Sequence, residues 1–118
     1  MNHVISFTGY DKTIDWHIVE VNQALATLQI DVWHQDKRIH QMTLSFEEYD
    51  QFALEFRIVH EQFPGIVSFE NAGFIFELIY DRLGHVRIEW HHTDKSKHTL
   101  QSDQSYVGQA LALIGVYT

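Results

Sequence analysis

Residues 74–90 read Phe-Ile-Phe-Glu-Leu-Ile-Tyr-Asp-Arg-Leu-Gly-His-Val-Arg-Ile-Glu-Trp: two alternating runs around a turn. No other stretch constrains the fold as tightly. Successive side chains of a strand point to opposite faces, so Phe74, Phe76, Leu78 and Tyr80 share one face while Ile75, Glu77 and Ile79 share the other. Apolar residues on both faces predict a central strand. With Arg82-Leu83-Gly84 as the loop and Gly84 in the left-handed conformation, Tyr80 faces Val86, Leu78 faces Ile88 and Phe76 faces Trp90. A one-residue slip would turn every side chain over, so this apolar pairing selects the register.

The same period of two dominates the first 44 residues. A short strand over about Val4 to Thr8 precedes Ile14, Trp16 and Ile18 on one face. Then come Ala26, Leu28, Ile30 and Val32, followed by His40, Met42 and Leu44. A three-residue loop, Gln35-Asp36-Lys37, pairs Leu28 with Leu44, Ile30 with Met42 and Val32 with His40. A two-residue Asp36-Lys37 turn would set the apolar faces against each other.

The period then changes. Ser45 reads as a helix cap, with Glu47 and Glu48 in the first turn where the helix dipole favours negative charge. Phe46, Tyr49, Phe52, Phe56, Val59 and Phe63 recur at helical spacing, predicting a helix over residues 46–62 that Pro64-Gly65 ends. A short strand follows at Ile66 to Phe69, and another carries His98 and Leu100. Ser102 or Asp103 then caps a last helix over about 104–116, with Tyr106, Val107, Ala110, Leu111, Ile114 and Tyr117 as its buried stripe. The expected fold class is α+β: six to eight strands in hairpins, mainly antiparallel, packed by a central and a C-terminal helix. No connection is long enough for repeated parallel crossovers.

A chain of 118 residues, 45% hydrophobic, is one domain with its own core (1–118). No linker, low-complexity stretch or internal repeat is visible. The chain has no cysteine, which excludes a disulfide framework and thiolate chemistry and fits a cytoplasmic location. The first residues lack a basic segment with a long apolar run, so no signal peptide is expected. The longest apolar stretch, 110–117, is far short of the ~20 residues a membrane span needs.

Charge narrows the partners. Sixteen acidic residues against eight Lys and Arg give a net charge of −8, which disfavours nucleic acid and favours a basic protein. Nine histidines are present, and protonating all of them would move the net charge to +1. Charge-driven binding should therefore weaken from about pH 7 to about pH 5.5.

Catalysis finds no foothold. Serines 6, 45, 68, 96, 102 and 105 lack a nucleophile elbow or triad context, and no Gly-rich loop opens a helix. Neither an enzyme nor a cofactor is expected. His85, Arg87, Glu89 and His91 share a strand face, but His85 and His91 lie about 20 Å apart, too far for one metal ion. The competing metal reading is Glu89 and His91 joined by His17 from another strand. It sets a small metal- or ligand-binding domain against the protein-binding one.

The run Thr99-Leu100-Gln101-Ser102-Asp103-Gln104-Ser105-Tyr106-Val107 resembles the DQ-[ST]-Y-hydrophobic motif that closes small bacterial domains of the WapI-like immunity-protein type and related families. An early Asp15-Trp16 strand, a central helix and a Gly-Phe-x-Phe-Glu strand leading into Gly-His-Val-Arg-Ile extend the likeness over most of the chain in pattern. The resemblance implies a non-enzymatic bacterial protein that binds and neutralises a cognate toxin, with no catalytic residues carried over. The expected contacts are exposed acids and aromatics: Asp31 and Trp33 on the outer face of their strand, and Glu47, Glu48, Asp50, Glu55 and Glu61 on the central helix. An interface of ~800 Å² per partner fits one sheet face. A homodimer working within a larger assembly is the third reading.

Overall fold

A computed structural model describes residues 3–115. Strands β1 (His3–Thr8), β2 (Thr13–Asn22), β3 (Thr27–His34) and β4 (Lys37–Ser45) lead into α1 (Phe46–Glu61). Strands β5 (Gly65–Asn71), β6 (Phe74–Tyr80), β7 (His85–His92) and β8 (His98–Asp103) then lead into α2 (Gln104–Val107) and a 3₁₀ segment, Gly108–Ala112. The fold is α+β and antiparallel, as the alternation implies. The eight strands form two four-stranded meanders, β1-β2-β3-β4 and β5-β6-β7-β8, rather than one layer. A meander followed by a helical segment thus occurs twice, a repetition of topology that the sequence does not display.

The expected apolar pairings are all present in the β6–β7 hairpin, where Tyr80 faces Val86, Leu78 faces Ile88 and Phe76 faces Trp90. Gly84 there takes a φ of +85°. The Asp81 carboxylate accepts from the backbone N–H of Leu83 at 2.8 Å and of His85 at 3.0 Å, which holds the turn. Between β3 and β4 the pairs Leu28–Leu44, Ile30–Met42 and Val32–His40 also form as expected, but the turn is a different one. His34 pairs with Lys37 around a two-residue Gln35-Asp36 turn, and the odd residue, Ile39, is absorbed as a bulge between Val32 and Trp33. Burial of the inner face sets the register, and the bulge reconciles it with a tighter turn.

One core joins both sheets and α1, as a single domain requires. Trp16 stacks on Phe52 of α1 at 5.0 Å, and Phe7 meets Phe76 across the sheets at 4.9 Å. Phe52 also contacts Phe7 of the first sheet and Phe69 and Phe76 of the second, so the helix stripe wedges against both layers. The Ser45 hydroxyl accepts from the Glu48 N–H at 3.0 Å while the Glu48 carboxylate accepts from the Ser45 N–H at 2.9 Å, a reciprocal capping box.

The C-terminal helix starts where expected, capped by Asp103, which accepts from the Tyr106 N–H at 3.0 Å. It does not run on as an α-helix to 116. After one turn it tightens to 3₁₀, in which residues three apart align, so Val107 and Ala110 are buried together. Tyr106 is 40% exposed instead of buried; its ring packs edge-on against Tyr10 at 5.2 Å. Ile114 is buried, and Tyr117 lies outside the described residues. Gly108 sits where a Cβ would come 3.1 Å from the His60 ring, so a larger residue there requires the His60 side chain to shift by a few tenths of an ångström.

Candidate functional site

α1 and β5 pack side by side and enclose a groove of about 230 Å³. Glu48, Gln51 and Glu55, spaced along one side of α1, line it, with Ser68 and Glu70 of β5 opposite. Its floor is apolar: Phe52 is 3% and Phe69 9% exposed. Gln51 donates from Nε2 to the Glu55 carboxylate at 2.9 Å, and the Ser68 hydroxyl donates to the Glu77 carboxylate of β6 at 3.1 Å. Three carboxylates therefore rim an apolar floor, with a fourth one strand away. Leu54 and Ile58 of α1 and Ile66 of β5 are exposed beside it. Such a surface suits a chain segment that presents Lys or Arg together with an apolar side chain.

The expected contact residues divide among different surfaces. Glu47, Glu48, Asp50, Glu55 and Glu61 are all exposed on α1. Helical spacing puts Glu48 and Glu55 on the groove side and Glu47, Asp50 and Glu61 on the adjoining side with Leu54. Asp31 and Trp33 depart from the expectation. Asp31 is only 9% exposed, its Oδ2 lying 3.5 Å from Arg38, and its Oδ1 is buried without a hydrogen-bond partner. Trp33 is half-buried, lying against the His17 ring at 5.9 Å and opposite Asp15 on β2. Neighbours on the same sheet face cover both residues, and neither belongs to the groove.

Ser68 and Glu70 are groove residues of β5 that sequence reasoning missed. Their outward position was implicit in the alternation of Val67 and Phe69 with Ser68 and Glu70. Their partnership with α1 was not, because hairpin patterns do not place β5 against the helix.

The histidine strand does not assemble the metal site considered above. Glu89 and His91 alternate with the inward-facing Ile88 and Trp90 of the second sheet, whereas His17 alternates with the inward-facing Trp16 and Ile18 of the first. Those outward faces lie on opposite sides of the shared core. Glu89 is satisfied by Arg87 at 3.1 Å and Lys97 at 3.4 Å. Among the described residues, no three His, Asp or Glu are placed to hold a metal ion.

Other histidines do converge. His40 of β4 stacks on Phe74 at 4.6 Å, and its ring nitrogens lie 3.1 Å from Asn71 Oδ1 and 3.3 Å from His92 Nε2. Burial pushes the His92 imidazole below the ordinary histidine range, and the neighbouring His40 and His91 push it the same way. Burial also lowers His60, whose Nδ1 lies 2.7 Å from the Tyr80 hydroxyl.

No helix among the described residues is long and apolar enough to cross a membrane. Comparison of the chain with families of known proteins, with curated proteins and with solved structures finds no match.

Proposed function

We propose that this chain is a non-enzymatic bacterial binding domain that neutralises a basic protein by occlusion, in the manner of the immunity-type domains its sequence resembles. The observation that carries the reading is the α1–β5 groove, where Glu48, Glu55 and Glu70 surround the apolar floor of Phe52 and Phe69. A net charge of −8 adds long-range attraction for a cationic partner. Exposed Leu54, Ile58 and Ile66 supply the apolar area that charge alone lacks. The partner's Lys or Arg side chains would pair with the rim while an apolar side chain seats over the two phenylalanines. Such a protein acts in the cytoplasm, where an incoming nuclease toxin would have to be met.

The test is titration calorimetry against the C-terminal domain of a polymorphic toxin encoded beside this gene. Close charge pairs at interfaces couple by about 1.5–7 kcal/mol. The triple variant Glu48→Lys, Glu55→Lys, Glu70→Lys should therefore bind at least a hundredfold more weakly, while its thermal midpoint falls only by what the loss of the Ser45–Glu48 capping box costs. Unchanged affinity in the triple variant contradicts the proposed contact. A metabolic operon in place of a toxin gene contradicts the immunity reading.

A further inference from the structure

A second concavity, of about 280 Å³, lies where the start of β4 meets the end of β7 and the β7–β8 loop. Its charge is opposite to that of the chain. Lys37, Arg38 and Lys95 line it, three of only eight Lys and Arg in a protein of net charge −8, and no Asp or Glu is among the lining residues. His91, His92 and His98 complete the polar wall. Residues 37–38 and 95 are far apart in the sequence; folding two hairpins together collects them.

The wall is built on packed rings. Trp90 is 3% exposed, stacked by His98 at 5.5 Å with planes 15° apart and met edge-on by His34 at 4.8 Å. His92 is fixed from behind through His40 to Asn71. The flanking charges leave the cleft cationic. Arg38 shares one nitrogen with Asp31 at 3.5 Å, yet its side chain remains 51% exposed. Glu89 is taken up by Arg87 and Lys97, while Asp36 and Asp94, on the same two loops, do not line the cavity.

We infer that this cleft binds a small polyanion through its phosphate or carboxylate oxygens. Two lysines and an arginine gathered around a cavity repel one another, Asp31 offsetting only the charge of Arg38, and an oxyanion removes that repulsion while accepting from their N–H donors. At about 280 Å³ the cleft has room for a pyrophosphate or a small tricarboxylate. Burial lowers the proton affinity of His92, with His40 and His91 acting in the same direction, and a bound anion would oppose that shift.

The experiment uses the full chain at low salt, titrated with pyrophosphate and separately with citrate, and read by calorimetry and by amide and imidazole NMR shifts. One-to-one binding is expected, with shifts confined to Lys37–Ile39 and Trp90–His98. Lys37→Glu with Lys95→Glu should weaken binding at least tenfold, and Lys95→Ala alone less, with the thermal midpoint reporting an intact fold. Lys12→Glu, outside the cleft, should leave it unchanged. Preference for one of the two anions identifies phosphate or carboxylate as the natural group. Absence of saturable binding to both, shifts scattered over the surface, or indifference to the cleft substitutions would each overturn the inference. Because the α1–β5 groove is untouched by these variants, either site can fail without the other.

Discussion

Two ring clusters hold this molecule together, and they differ in chemistry. Under α1, Phe7, Trp16, Phe52, Phe69 and Phe76 meet at centroid distances of 4.9–6.4 Å with no titratable ring among them. Between β4 and the ends of β6 and β7, His40 and His92 pack on Phe74, and hydrogen bonds tie His40 to His92 and to Asn71. Both arise from the same alternation of strand residues. The first is dry and gives stability that does not depend on pH. The second joins the sheets with groups that bind protons, and it backs the cationic cleft lined by Lys37, Arg38 and Lys95. Packing energy and chemical responsiveness are thus assigned to different parts of one core.

Phe52→Ala is the hardest blow to the dry cluster, because one ring touches both sheets. It should cost about 3–5 kcal/mol in urea unfolding, the range for truncating a buried aromatic. His40→Ala should cost less, about 1–3 kcal/mol, from the lost stack on Phe74 and an Asn71 acceptor left unpaired. If the two losses were equal, the contrast between the clusters would fail. Ser45→Ala removes the cap of α1 and should cost about 1 kcal/mol, well below the ring it helps position.

A pH series sharpens the contrast further. His60 and His92 titrate below the ordinary histidine range in the folded protein, so in that interval the unfolded chain binds more protons. Their part of the stability is present above the unfolded histidine value of about 6.5 and is lost as pH falls toward their folded values. Thermal midpoints should fall between pH 7.5 and pH 5.5, and His92→Gln should flatten part of that fall. Smallest of all, Glu55→Lys and Glu70→Lys should each leave stability within about 0.5 kcal/mol, as exposed substitutions generally do, whereas Glu48→Lys also removes half of the α1 capping box and should cost about 1 kcal/mol.

How much of this was legible beforehand follows from the range of each interaction. Hairpin registers and the α1 cap are set by residues close in sequence, so Leu78–Ile88 and the Ser45–Glu48 pair could be read directly. The Gln35-Asp36 turn could not, because alternation constrains facing residues but not where an odd residue is stored; it went to Ile39. The C-terminal segment misled for another reason. Helical spacing of Val107, Ala110 and Ile114 is compatible with a 3₁₀ turn, and Tyr106 leaves the stripe to pack on Tyr10. For the sites, exposure of the α1 acids was legible, but the facing Glu70 and the gathering of Lys37, Arg38 and Lys95 required the placement of one sheet against α1 and against the other sheet.

Amide hydrogen exchange with and without a candidate basic toxin domain tests the proposal most directly, engagement of a basic protein by the α1–β5 groove. Slowed exchange in residues 48–58 and 65–70, with the outer face of β2 and β3 unaltered, is the predicted footprint. Protection confined to β2 and β3, or to the cationic cleft, would contradict it.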